Sequence, residues 1–127
     1  MVTREDIESF LLRMEANAEE VEPGMWVIES EQAKLVLHLS TPVLLLRMKV
    51  LAVPAEEAKC IGLFRRLLEL NATDLVHGAY GIEENDVILS DTLELENLDF
   101  NEFQAVVDSM QLALASHLEL LSEFRDC

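Results

Sequence analysis

Basic residues are scarce in this sequence, and their scarcity excludes more than any motif does. Nine Lys and Arg stand against 25 Asp and Glu, a formal net charge of -16. Between Arg66 and Arg125 there is no Lys or Arg at all, while 13 Asp and Glu fall in that interval. Such a surface repels phosphate backbones and anionic lipid, so nucleic-acid and membrane-surface partners are not expected. It suits a basic partner, or it serves only to keep an apolar protein in solution. Cysteine is equally sparse. Cys60 and Cys127 are too few for a disulfide framework or a zinc site, and the expected compartment is reducing and cytoplasmic. The first ten residues are acidic and carry no apolar core of a secretion signal. The longest apolar runs, Val43–Leu46 and Val50–Pro54, fall far short of the ~20 residues a membrane-spanning helix needs.

Catalytic and ligand-holding patterns are missing as well. His38, His77 and His117 lie on three different predicted elements, without the spacing of a metal-binding pair. Cys60 has no neighbouring base, and the reading is a packed helical thiol. The acidic tract Asp99–Phe103 lacks the glycine and terminal glutamate of a calcium loop. His77–Gly81 has two glycines, but an acidic turn follows it where a phosphate loop would need a helix. No nucleophile, base and orienting group can be assembled from these spacings, so neither an enzyme nor a cofactor or metal is expected.

What is present is one domain over residues 1–127, with half its residues hydrophobic. Thr3 and Asp6 predict a capped helix whose stripe is Ile7, Phe10, Leu11 and Met14, fading near Ala18. The acidic Glu19–Glu22 reads as a connection into the Pro23-Gly24 turn. Strands are predicted over Met25–Ser30, Lys34–Ser40 and Val43–Val53. The connection Glu29–Gln32 is short enough for a hairpin, and Thr41-Pro42 ends the middle strand. A helix follows over about 55–71, with Asn71 suited to a left-handed terminus. Two strands, Leu75–Ile82 and Val87–Leu95, flank an acidic turn, with a bulge expected at Asp91-Thr92. Asp99, Glu102, Leu98 and Phe103 then mark the start of a last helix. The fold class is α+β, ordered α-β-β-β-α-β-β-α, with a largely antiparallel sheet and helices packed on it.

The second helix has more apolar positions than one stripe needs. Ile61, Phe64 and Leu68 form one face, and Leu63, Leu67 and Leu70 an adjoining one. Either a second subunit covers the excess, or the chain curls to bury both faces itself. On the first alternative the dimer interface comprises Ile61, Leu63, Phe64, Leu67 and Leu70. Leu12, Trp26 and Leu45 are a further apolar surplus of the kind that marks protein interfaces. Arg47 and Lys49, on one strand face with Leu45, either bind partner carboxylates or pair with this chain's own glutamates. These five residues are the candidate partner-binding set.

Residues 63–99 also carry a resemblance. Leu63–Asn71, His77-Gly78-Ala79-Tyr80-Gly81-Ile82, Val87-Ile88-Leu89 and Leu93–Asp99 resemble the YbjN family, whose fold is that of class I type III secretion chaperones of the Tir type. The element order matches over nearly the whole chain. The resemblance implies a homodimeric, non-enzymatic, ATP-independent domain that holds another protein or peptide, in a chaperone-like, adaptor or regulatory role. In the secretion chaperones an extended partner segment packs on apolar patches and adds to sheet edges. The alternative is a sensory domain with a small-molecule pocket between sheet and helix.

Overall fold

The computed structural model describes residues 1–31 and 33–125. Gln32, at the end of the predicted hairpin connection, and Cys127 lie outside the described residues. The chain runs α1 (Arg4–Arg13), β1 (Ala18–Glu22), β2 (Met25–Glu29), β3 (Lys34–Ser40), β4 (Val43–Ala52), α2 (Glu57–Thr73), β5 (Ala79–Glu83), β6 (Asp86–Glu94) and α3 (Phe100–Leu121). A 3-10 turn, Ser122–Phe124, follows α3. All six strands form one antiparallel sheet in the order β1-β2-β3-β4-β6-β5.

The α+β class and antiparallel sheet are as the sequence implies, with one strand added. Glu19–Glu22 is not a linker but most of the edge strand β1. An edge strand needs partners for its backbone on one side only, so its side chains can stay acidic and exposed. The room for β1 comes from α1, which ends at Arg13 and not near Ala18. Glu15 takes a left-handed φ of 55°, the Ala16 N–H returns to the Leu11 carbonyl and the Glu15 N–H to that of Leu12. This is a Schellman closure with glutamate where glycine is usual.

Both sequence-marked caps form. Thr3 and Asp6 make a reciprocal capping box. The Asp99 carboxylate accepts the Glu102 N–H at 2.8 Å, over the buried pair Leu98 and Phe103. The expected bulge lies elsewhere. Asp91 and Thr92 pair regularly, and the register shifts in β4 between Lys49 and Leu51, so that Val50 and Leu51 are both buried.

One face of the sheet supplies the core. Trp26, Ile28, Leu35, Leu37, Leu44, Leu46, Met48 and Leu89 are buried with Ile7 and Leu11 of α1 and Phe103, Val106, Val107 and Met110 of α3. The Trp26 indole N–H donates to Glu8 of α1 at 2.7 Å, which satisfies its polar atom. The opposite face stays open. Met25, Val27, Val36 and Leu45 are half-buried there, and His38, Arg47 and Lys49 are exposed.

Helix α2 runs on to Thr73, so Asn71 does not terminate it, and β5 begins only at Ala79. Instead the Asn71 amide reaches β5. Its Nδ2 donates to the Tyr80 carbonyl at 3.1 Å and its Oδ1 accepts the Tyr80 N–H at 2.7 Å. Gly78 takes a φ of +83° to turn the chain into β5, while Gly81 lies within the strand. The Tyr80 side chain enters the core, where its hydroxyl lies 2.6 Å from His117 Nδ1 of α3. His117 Nε2 lies 2.5 Å from Asp74, the C-cap of α2. A carboxylate only accepts, so Nε2 carries the hydrogen, Nδ1 accepts, and the tyrosine hydroxyl donates. One polar chain thus ties α2, β5 and α3.

Burial, and secondarily the Asp74 charge, push the Tyr80 phenol well above its ordinary pKa of 10.0. The folded state therefore favours the protonated phenol. That contribution is complete below the ordinary value of 10.0 and is lost as pH rises past it, where the unfolded chain ionises first. Tyr80 is the only tyrosine, so its titration is read directly. Phenolate absorbance is expected to appear only together with loss of the helical circular-dichroism signal. Ionisation near 10.0 in a still-folded protein would contradict this placement.

Candidate protein-binding surfaces

Two apolar surfaces hold residues of the expected sets, and Val76 and Leu112 are exposed elsewhere. The first runs along α2 and β5. The stripes of α2 divide as its width implies. Leu63, Leu67 and Leu70 are buried in the protomer's own core. Ile61 and Leu68, one turn either side of the half-buried Phe64, are 65% and 68% exposed. Beside them Ile82 of β5 is 49% exposed. A groove of about 200 Å³ lies between, lined by Phe64, Leu67, Leu68, Asn71, Tyr80, Gly81 and Ile82. Of the five residues expected at a dimer interface, Ile61 and Phe64 are thus available on the surface, and Leu67 forms the floor of the groove. Leu63 and Leu70 are committed to the core. Leu68 and Ile82 are added by the structure. The spacing of three and four from Ile61 through Phe64 to Leu68 carried that signal for Leu68. For Ile82 the sequence held none, because its neighbourhood depends on Asn71 holding β5 against α2.

The second surface is the open face of the sheet. Met25, Val36, His38, Leu45 and Arg47 enclose a hollow of about 180 Å³ there. Three strands meet in it, since Val36 pairs with Arg47 and His38 with both Leu45 and Met25. Leu45 and Arg47 of the expected partner-binding set come together in this hollow. Lys49 stands next along the same face of β4. Both cations are engaged within the chain: Arg47 meets Glu83 at 2.5 Å and Lys49 meets Asp86 at 3.4 Å. Pairs this exposed contribute little to stability. They do direct the two basic side chains toward β5 and β6, where both stay solvent-exposed. Trp26 points to the other side of the sheet, into the core, and Leu12 lies exposed on α1. These two residues join neither the hollow nor each other. Val36 and His38 share this face by the alternation of β3, and nothing in the sequence singles them out.

Cys60 and His117 serve local structure. The Cys60 thiol donates to the Pro54 carbonyl at 2.9 Å. His117 is held in the core as described, and His77 sits half-buried on the connection before β5. Among the described residues no group of three His, Cys, Asp or Glu is placed to hold a metal ion, and no helix is long and apolar enough to cross a membrane.

Comparison with known proteins matches this architecture. A chain of the heterodimeric ExoU–SpcU complex from the type III secretion system of Pseudomonas aeruginosa superposes with a TM-score of 0.72 at 14% identity, over 90% of this chain and 96% of that one. The ExsC–ExsE complex gives 0.67 at 20% identity, covering 95% and 97%. YbjN from E. coli gives 0.70 at 12% identity, covering 96% and 93%. No match is found among curated proteins. The CesT_Tir_1 family model matches residues 1–126, and the chain is a member of the CesT_Tir_1 family.

Proposed function

We propose that this protein is a non-enzymatic, homodimeric holder of another protein, self-associating through α2 and β5 and docking its partner on the open face of the sheet. The observation that carries the reading is the outward stripe of α2. Ile61 and Leu68 lie well exposed on one face of α2 beside the exposed Ile82, on a chain with 25 acidic residues. Exposed apolar stripes of this kind are covered by protein in the working state. A two-fold axis along α2 would set Ile61 and Leu68 of one protomer against those of its partner, with Ile82 at the margin. The fold supports the second half of the reading. Similar structures include the HopA1–SchA chaperone–effector complex, with a TM-score of 0.64 at 14% identity, covering 87% of this chain and 88% of that one. The role within the cell, as a secretion chaperone or as a regulator working by capture in the cytoplasm, follows from the identity of the partner. The groove beside Tyr80, about 200 Å³, is smaller than the ~300 Å³ at which small-molecule sites begin, so it fits a packing seam better than a ligand pocket.

The dimer is tested by light scattering at micromolar concentration. The wild-type chain is expected at twice its 14.4 kDa mass, and the Ile61→Asp/Leu68→Asp variant at one chain mass with an unchanged circular-dichroism spectrum. A wild-type monomer, or a variant that stays dimeric, would move the interface elsewhere. Leu63→Asp should instead unfold the protein, because it places a charge in the core.

Partner docking is tested by capture from the native cell followed by mass spectrometry. A protein retained by the wild type is expected to be lost with Leu45→Glu and kept with Leu112→Glu, a control on the exposed side of α3. Retention by Leu45→Glu would remove the hollow from the reading.

A further inference from the structure

A third hollow, of about 170 Å³, lies between the end of α2 and the outer side of α3, apart from both surfaces above. Asp74, His117, Ser109 and Ser116 give it polar groups. Val76 and Leu112 form its apolar rim and are 82% and 69% exposed. The carboxylate is held from behind. His117, buried on α3, donates its Nε2–H to Asp74 at 2.5 Å and is itself fixed by the Tyr80 hydroxyl. That bond takes one of about four acceptor positions on the two carboxylate oxygens. The Asp74 side chain is 56% exposed, so acceptor positions remain open to a ligand.

The electrostatics of the place call for a cation. Asp74 caps the C-terminal end of α2, where the helix dipole is negative, and the last turn holds no basic residue. Arg65 and Arg66 turn to Glu69, and the next basic residue in the chain is Arg125. Among the described residues Asp74 therefore pairs with His117 and with no Lys or Arg. The kind of cation follows from the donor set. A metal ion takes several ligands, and among the described residues no three His, Cys, Asp or Glu gather to supply them. An ammonium group carries three N–H donors, which one carboxylate and two hydroxyls match in number. The Ser109 and Ser116 hydroxyls make no hydrogen bond among the described residues. An aliphatic stem behind the ammonium would lie along Val76 and Leu112. The volume suits a stem of a few carbons and not a drug-sized ligand. Unlike the groove beside Tyr80, which no charged residue lines, this hollow has a charge to anchor so small an occupant.

We propose that this hollow binds a primary ammonium group on a short aliphatic stem, borne by a free amine or by a lysine side chain. Asp74 supplies the opposite charge, Ser109 and Ser116 accept the remaining N–H groups, and Val76 and Leu112 cover the stem. The site depends neither on self-association through α2 nor on docking at the open sheet face.

Titration of isotope-labelled full-length protein at neutral pH and physiological salt tests it, with n-butylammonium, 1-butanol and Nα-acetyl-lysine-N-methylamide as probes. Butylammonium is expected to shift the amide signals of residues 74–76 and 109–117 and to bind about tenfold more tightly than the neutral butanol. Asp74→Asn, which keeps an acceptor for His117, is expected to erase that difference. Ser109→Ala/Ser116→Ala is expected to reduce it severalfold while leaving the His117 bond untouched, so it decides the matter should the Asp74 variant fail to fold. Binding of the lysine analogue at least as tight as that of butylammonium assigns the stem to a protein, and weaker binding assigns it to a free amine. Equal binding of butylammonium and butanol, shifts spread over the acidic surface, or a preference unchanged in the folded variants would each overturn the proposal. The spread would mean that net charge alone attracts the cation.

Discussion

Asn71 does the work of a strand. One side-chain amide offers a carbonyl and an N–H₂ at the spacing of a neighbouring backbone, and it satisfies both outward groups of Tyr80. Without it the last strand of the sheet would present an unpaired edge. With it, β5 is held against α2, and the Tyr80 ring is aimed into the core, where its hydroxyl meets His117 and, through it, Asp74. Everything proposed for self-association depends on this junction. It determines which side of α2 turns inward, sets Ile82 beside Leu68, and keeps the outer stripe of α2 flat and open.

The division of labour across the molecule then follows from which surfaces are already satisfied. The inner sheet face is spent on α1 and α3. At the β5 edge Asn71 takes both backbone groups of Tyr80. The cations of the open face are spent on Glu83 and Asp86. Among the described residues there remain apolar area on α2, a shallow apolar hollow floored by three strands, and exposed side chains such as Leu12, Val76 and Leu112.

Much of the fold was legible in the sequence, because its signals are local. The Thr3 and Asp99 caps, the inward alternation of β3 and β4, and the excess apolar width of α2 all rest on neighbours within a few residues. What was illegible depends on distance or on exposure. Asp74, Tyr80 and His117 are brought together across separations of 37 and 43 residues, and no spacing rule joins them. Strand β1 has three acids in its five residues and no buried position, so alternation does not mark it and its strand character lies in backbone pairing. The bulge lies at Val50 and not at Asp91 because two apolar residues in succession can both be buried there, which alternation alone does not reveal. The sequence showed that α2 has two apolar stripes. Only packing shows that Leu63, Leu67 and Leu70 face in while Ile61 and Leu68 face out.

Amide hydrogen exchange measured at two protein concentrations, dilute and concentrated, tests the central claim most directly, since it maps self-association onto residues. Protection is predicted to rise with concentration along Ile61–Leu68 of α2 and Ala79–Glu83 of β5, and to stay constant on α3 and β1. Protection independent of concentration, or a rise confined to any other surface, would contradict the account.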